Sequence, residues 1–387
     1  MDVKNITKPY KNTIGTALEK RKIPYFRLLK NKSHFQVGLG YKQKRFLYDN
    51  INNSSSTMIC NDKALTKYFL EQCSIPVPSG KKISTEAEMK IAYTELQKPI
   101  VIKPISEMWG KGITTNIKTL PEALTAYRLA SQYKGSYVIA EEHINGHDHR
   151  ILILGGKYIA GLKRMPPFIK GNGKNTIEKL VTIENKKRKE NVAIVKEILL
   201  DEEAIECLNS QSLTLKSIPN INQKVYLRMV GNICSGGISK NITPIVHSSI
   251  IELCENIGAY LNMDILGIDI ITTDISLSLD ETGGKITEIN ANPDIDMHTA
   301  PYMGEAINTS LLFVDYLYPN LEDAWIEITH NNKLIRKQEE LNKHLKNIPN
   351  KVVQLKNKNS SELLTINLPN KSLYTYLLDI RTVSIDI

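Results

Sequence analysis

The sequence predicts a mixed fold of the α/β (α+β) class, on three observations. A continuous β-branched run, Pro-Ile-Val-Ile-Lys-Pro at 99–104, leads into a glycine-bearing loop and then a helical pattern, so strand, loop and helix follow in order. Further apolar runs of strand length recur with turn residues between them, and apolar positions at helical spacing fill the intervals.

Along the chain, Thr13–Lys22 reads as a helix and Tyr25–Leu29 as a short strand, followed by a polar stretch whose Asn/Ser cluster at 52–56 reads as a loop. Asp62–Cys73 carries Leu65, Phe69 and Leu70 at helical spacing and stops before the breakers Pro76 and Pro78. Lys98–Pro104 is the β-branched strand, the loop after it contains Gly110 and Gly112, and Pro121–Tyr133 is a helix. Tyr137–Ala140 and Arg150–Leu154 are strands, and Gly155-Gly156 turns the chain into a hairpin partner, Lys157–Leu162. Residues 171–220 are polar and mostly helical, with Lys186, Lys187, Arg188 and Lys189 forming a solvated helix face. Val225–Val230, Asp264–Ile271 and Lys285–Asn290 complete the strands, the last two joined by the turn signal Asp-Glu-Thr-Gly-Gly at 280–284. Beyond residue 320 a charged helix, Leu334–Lys346, and a final patterned segment are expected.

Composition narrows the class of protein. At 387 residues with a hydrophobic fraction of 41%, the chain has material for a substantial core. No apolar stretch approaches the roughly 18 residues needed to span a bilayer, and no apolar h-region follows the N-terminus, so no membrane association, no secretory signal and a cytoplasmic location are expected. Five widely spaced cysteines without a CxxC pair argue against a disulfide framework or zinc site and for reduced, partly buried thiols. Residues 1–60 hold 12 basic and 3 acidic side chains, which accounts for the whole net charge of +9. A basic arm on a neutral body does not read as a nucleic-acid surface; it is either solvated or makes one local anionic contact.

The clearest constellation is Asp269 on one strand with Glu288 and Asn290 on the next. Residues i and i+2 of a strand share a face, and a hairpin brings Asp269 beside them, giving three oxygen donors suited to a hard cation such as Mg²⁺. Lys103 closes the β-branched strand, Lys63 opens a helix some forty residues earlier, and the loop 106–112 offers backbone N–H donors to phosphates. Taken singly, each lysine reads as a surface residue and the strand pair as a solvent-facing one. The loop is not a GxxxxGK[ST] phosphate loop, and no GxGxxG follows a strand.

Together and in order, these features resemble the ATP-grasp family, and within it the ATP-grasp domain of cyanophycin synthetase, followed by that of bifunctional glutathione synthetase. The resemblance is carried by NDKALTK at 61–67, VIKP at 101–104, GKGIT at 110–114, VIAEEHINGHDHR at 138–150, Lys163-Arg164, GNGKNTI at 171–177, VYLR at 225–228, Asn232, Ser235-Gly236-Gly237, GIDI at 267–270, and EINANP with MHTAP to Pro301. It runs from about residue 20 to 315. It implies the ATP-grasp fold, two α+β subdomains clamping ATP, and an ATP-dependent ligase that joins a carboxylate to an amine through an acyl phosphate, releasing ADP and phosphate. The substrates it implies are an amino acid or short peptide.

By that resemblance Lys63 and Lys103 contact the ATP phosphates, with Trp109, Gly110 and Gly112 on the covering loop. The backbone of Glu141, Glu142, His143 and Ile144 reads the adenine, and Asp148 holds the ribose hydroxyls. Asp269, Glu288 and Asn290 hold Mg²⁺, two ions being expected. Arg164, Arg228, Asn232 and the Ser235-Gly236-Gly237 turn face the acceptor carboxylate and its acyl phosphate, and with Lys103 the first three form the catalytic set. Arg150, Asp296 and His298 border the substrate. For Arg150 a share in the phosphate pocket and packing in a salt bridge are equally open. His147 and His149 are expected to be structural or substrate-orienting. No Ser/His/Asp nucleophile is required, because phosphoryl transfer rests on positioning and charge neutralisation.

The chain departs from the family at three places. The domains that flank the ATP-grasp unit of cyanophycin synthetase are represented by a short basic arm and a tail without a phosphate loop. The loop carries Glu107, Met108 and Trp109, closer to the glutathione-type pattern. Asp294 and Asp296 stand where the relatives tend to have a glycine and a basic residue, which points to a cationic or amine-bearing substrate group. The expected organisation is a basic arm at 1–60, an ATP-grasp domain at 61–315 (lid side 61–136, metal-binding side 137–315) and an extension at 316–387. Rival expectations are a glutathione-like γ-peptide ligase and a non-catalytic ATP-binding regulatory protein; a homodimer or larger homo-oligomer is an expected assembly.

Overall fold

The computed structural model of the chain describes residues 13–21, 23, 25–27, 34–37, 44–47, 51–104, 112–133, 137–190 and 195–319. They fall into two compact units, one built on Asn52–Thr309 and the other on described residues of Asn12–Ile51 and Ser310–Ile387. The smaller unit contains helix α1 (Thr13–Lys20) and an antiparallel sheet of β1 (Tyr25–Arg27), β2 (His34–Val37) and β3 (Lys44–Leu47). Ile14, Ala17 and Leu18 are buried there, Arg21 pairs with Asp315, and the Tyr318 hydroxyl donates to the Val37 carbonyl at 2.9 Å.

The larger unit opens with α2 (Ser54–Asn61) and α3 (Lys63–Gln72). The Asn/Ser cluster at 52–56 is therefore mostly a helix start and not a loop. Asn53 caps α2 by accepting from the Ser55 N–H, and Asn52 is buried, donating to the carbonyls of Ile265 and Ala291 and accepting from Ile265 N–H. Asn and Ser serve loops and N-caps alike, which is why composition alone misassigned them. Asp62 caps α3 through the amides of Ala64 and Leu65, so Lys63 sits at the first position of the helix.

A lobe follows, made of β4 (Gly80–Ile83), α4 (Glu86–Glu95), β5 (Ile100–Pro104), β6 (Thr114–Ile117), α5 (Leu120–Ala130) and β7 (Val138–Glu142). Its strands form one antiparallel sheet in the order β4-β7-β5-β6. Ile100, Ile102, Val138 and Ala140 pack with Met89, Ala123 and Ala126 from the two helices. The period of two then sends Lys103 on β5 and Glu141 on β7 to the opposite face.

The second lobe is a five-stranded antiparallel sheet in the order β12-β9-β8-β13-β14, formed by β8 (His147–Leu154), β9 (Lys157–Met165), β12 (Ile238–Asn241), β13 (Ile265–Thr272) and β14 (Lys285–Asn290). Between β9 and β12 a small lobe is inserted, with β10 (Phe168–Lys170) paired to β11 (Lys224–Tyr226) and helices α6 (Ile177–Glu190) and α7 (Glu202–Ser210). Ile151, Ile153, Ile268, Ile270 and Ile289 bury one face of the five-stranded sheet with α8 (Ser248–Tyr260) and with Leu70 of α3. The other face is left for charged side chains.

Three further expectations need correction. Arg188 is not on a solvated face: its side chain is 1% exposed, and it donates to the Lys196 and Gly236 carbonyls at 2.8 and 2.6 Å. The segment 280–284 is not a tight hairpin turn; it contains the short helix α9 (Leu279–Thr282), boxed by Ser278 and Glu281 and ended by Gly283 at φ 65°. The strand expected over Val225–Val230 is only Lys224–Tyr226. The helix expected over Leu334–Lys346 lies outside the described residues.

Candidate functional site

Between the four-stranded sheet, α3 and β14 lies a cleft lined by Lys63, Lys67, Lys103, Glu141 and Glu288, with Val77, Ile139, Ile286 and Ile289 as apolar walls. Lys103 Nζ donates to Glu141 Oε1 at 2.5 Å, Lys67 Nζ stands 3.6 Å from Glu141 Oε2, and Lys63 Nζ stands 3.5 Å from Glu288 Oε1. Three ammoniums and two carboxylates thus share the cleft lining. Lys67 Nζ is buried without a hydrogen-bond acceptor among the described residues, and burial pulls its pKa down. Lys67 escaped the sequence reading; its only signal was the spacing of four from Lys63, which puts both on one helix face.

The polar face of the five-stranded sheet carries a lattice of two carboxylates and two guanidiniums, with Arg150 and Asp269 buried and Asp148 and Arg164 half-buried. Asp148 pairs across to Arg164, Arg150 across to Asp269, and Asp269 across to Glu288, all in register. Both oxygens of Asp269 accept from Arg150, by Nε and, at 3.0 Å, by Nη2; Arg164 Nη2 reaches Asp269 at 2.9 Å and Asp148 at 2.7 Å. Burial works to raise the Asp269 pKa, but Arg150 and Arg164 together outweigh it and hold the carboxyl below its ordinary value. At Asp148 burial prevails over the pull of Arg164, and that carboxyl is shifted upward. Asn290 Nδ2 donates to Asp269 at 3.4 Å.

His298 lies on α10 (Asp296–Thr299), 2% exposed, with neither ring nitrogen partnered among the described residues. Burial first, then the charges of Arg150 and Arg164, push its pKa down to about 3, so it is neutral. His149 is also buried, its pKa lowered to about 4 by burial. Asp296 begins α10, its N–H accepted by Asp294 at 3.2 Å.

The turn expected to face the acceptor is built tightly. Asn232 O accepts from the N–H groups of Ser235 and Gly237, and Gly236 adopts φ +93°. A Cβ on Gly237 would fall 2.6 Å from the Asn232 and Gly231 carbonyls. Arg188 reaches this turn through its bond to Gly236 O; Glu184 accepts from Arg188 and from the Tyr302 hydroxyl. Arg228 pairs with Asp201, the N-cap of α7, at 2.6 Å and with Glu203 of α7 at 3.2 Å, and its Nε is buried without a hydrogen-bond acceptor among the described residues.

Along the segment expected to read adenine, the N–H of Glu142 donates to Ser79 O and that of His143 to Pro99 O, so both are already used. Glu142 also accepts from Ser79 N–H, and the carboxylate of Glu141 serves the lysines instead. Gly112 is described, at φ +69° against the ring of Tyr133, whereas Trp109 and Gly110 lie outside the described residues.

The donor set can be tested against the groups it is expected to hold. A cleft lined by three ammoniums, one of them buried without a hydrogen-bond acceptor among the described residues, fits a polyphosphate such as that of ATP. For Mg²⁺ the fit is partial. Glu288 and Asn290 share one strand face and supply oxygen donors, while the Asp269 carboxylate is already bound by two arginines.

A lysine-lined cleft between a four-stranded antiparallel lobe and a five-stranded lobe with an acidic strand pair is the arrangement that the resemblance to ATP-grasp proteins implies. The family model for the ATP-grasp domain of prokaryotic glutathione synthetase matches residues 66–201. Cyanophycin synthetase of Synechocystis sp. is 35% identical over 320 residues, covering 81% of this chain and 36% of that protein. The glutathione biosynthesis bifunctional protein GshAB of Clostridium perfringens is 32% identical over 269 residues, covering 68% of this chain and 34% of that protein. A solved bifunctional glutathione synthetase from Pasteurella multocida aligns with TM-score 0.60 at 25% identity, over 79% of this chain and 43% of that one. The chain belongs to the ATP-grasp family and has its fold. It spans about a third of the length of the curated relatives it matches. No helix of the described residues is long and apolar enough to cross a membrane, and Cys60, Cys73, Cys207 and Cys254 are free thiols.

Proposed function

We propose that the chain is an ATP-dependent carboxylate–amine ligase that activates a carboxylate as an acyl phosphate and releases ADP and phosphate on forming an amide. The observation that carries this is the lysine cleft, with a buried ammonium that has no hydrogen-bond acceptor among the described residues, set beside the strand bearing Glu288 and Asn290. Lys63 and Lys103 offset the charge of the phosphates, and the apolar walls exclude water from the base. Glu288 and Asn290 would hold Mg²⁺, with Asp269 as the third member of the set; when bound, the ion supplies charge neutralisation at the transferring phosphoryl group. A carboxylate oxygen of the substrate bonds to the γ-phosphorus as the bond to the β-phosphate oxygen breaks. The amine nitrogen then bonds to the acyl carbon, loses a proton, and phosphate leaves with the former carboxylate oxygen. Arg164 and the 235–237 turn orient the acyl phosphate.

The substrates are an amino acid or short peptide, and Asp294 with Asp296 favours an amine-bearing or cationic group; an Asp296→Arg variant with unchanged substrate preference would contradict that choice. A glutathione-like γ-peptide ligase uses the same cleft and chemistry. A binding-only regulatory protein is favoured by one observation, the double arginine clamp on Asp269. The test is ADP formation against a panel of amino acids and dipeptides, with mass spectrometry of the product. Amine-dependent ADP release that disappears in Lys103→Met is expected; no stimulation by any mixture, with Glu288→Ala binding ATP as the unmodified protein does, would leave only binding.

A further inference from the structure

We infer that Lys67 is a positioning residue of the nucleotide site: it is the standby counter-ion that keeps Glu141 neutralised once phosphate draws the Lys103 ammonium away. The inference rests on the cleft being an ATP site. Lys67 lies four residues after Lys63 on α3, so the two ammoniums leave the helix on one face. Its side chain is 17% exposed, and its Nζ has no hydrogen-bond acceptor among the described residues. A buried ammonium with unused donors is costly unless something else comes to accept them.

The surrounding backbone makes room for that ammonium. A Cβ on Gly80 of β4 would fall 2.7 Å from Lys67 Nζ, 2.7 Å from Glu141 Cβ and 2.9 Å from the Ala140 carbonyl oxygen. Glycine at 80 leaves a recess that Lys67 and Glu141 share. The carboxylate is divided unequally: Oε1 is bonded to Lys103 at 2.5 Å, while Oε2 has Lys67 at 3.6 Å, outside bonding distance. Lys103 cannot serve Glu141 and a triphosphate equally. When it turns to phosphate, a bare carboxylate would repel the ligand, and Lys67 needs only to close a fraction of an ångström to replace the lost partner.

The test is calorimetric binding of the non-hydrolysable nucleotide AMP-PNP to four proteins: unmodified, Lys67→Met, Glu141→Gln, and the double variant. Lys67→Met should weaken binding about tenfold, the scale of leaving a charged partner unpaired. Removing the carboxylate should reverse this, bringing the double variant to within about threefold of the unmodified protein, and Glu141→Gln alone should bind at least as tightly as the unmodified protein. A lysine that served only packing would not be rescued by Glu141→Gln, which adds no contact. Melting temperatures establish that each variant is folded, and if Lys67→Met is not, Glu141→Gln decides alone: weaker binding overturns the inference. Equal binding by Lys67→Met, or a folded double variant as weak as the single one, also overturns it. If the unmodified protein fails to bind AMP-PNP, the nucleotide site itself is refuted, an outcome distinct from the others.

Discussion

Replacing Arg150 with methionine tests the charge lattice. The side chains of Arg150 and Asp269 are 7% and 5% exposed, and the arginine donates to both carboxylate oxygens. Removing one partner of a buried ion pair costs about 3–5 kcal/mol, because the other charge is left behind. Arg164 stays at 2.9 Å from Asp269 and offsets part of this, so a loss of about 3 kcal/mol is expected. Urea unfolding at several pH values is the assay. Asp269 has a depressed pKa in the folded protein, so its contribution is present above the ordinary carboxylate value and is lost as pH falls through the folded value. With Arg150 gone the depression is smaller, so the variant's deficit should be full at neutral pH and shrink only as pH falls below the ordinary carboxylate value and through the lower folded value, where the carboxyl becomes protonated. His298, also against the lattice, stays neutral over most of that range. A deficit under about 1 kcal/mol at pH 7, or one that does not change with pH, would refute the lattice.

Lys103→Met should cut turnover by about 10²-fold or more, since a cation aimed at the transferring phosphoryl group is lost, and should lower stability by about 1–3 kcal/mol, because the buried Glu141 carboxylate loses its bonded partner while Lys67 stays nearby. Arg188→Ala should destabilise by about 2–3 kcal/mol and raise KM for the carboxylate, because the buried guanidinium supports the Gly236 carbonyl; urea unfolding and steady-state kinetics read the two effects. Gly146→Ala should lower stability by about 1–3 kcal/mol, as Gly146 has φ +147° and a Cβ there would fall 2.4 Å from the Thr272 carbonyl carbon; an unchanged melting temperature would count against it.

What the sequence revealed was set by whether one residue's neighbours decide its state. The strand Lys285–Asn290 was legible from β-branched residues following a turn signal, and the helix over Asp62–Cys73 because period and cap agree locally. Arg188 was not, since a basic run on a helix looks the same whether its partner is water or the carbonyl of a residue 48 positions away. Glu288 and Asn290 could be placed together by spacing, but the arginine clamp on Asp269 depends on the registers of β9 with β8 and of β8 with β13, which no local pattern encodes. Lys67 was hidden for the same reason: its importance comes from Glu141, on a strand of another lobe.

The central claim is chemical, that a carboxylate is activated by the γ-phosphate of ATP, and oxygen tracing tests it most directly. The protein would be incubated with ATP, Mg²⁺ and a mixture of amino acids and dipeptides carrying ¹⁸O in their carboxyl groups, and the products analysed by mass spectrometry. The account predicts ADP, an amide that has lost one labelled oxygen, and inorganic phosphate that has gained it. Label in AMP, phosphate without label, or no nucleotide turnover with any substrate would contradict it.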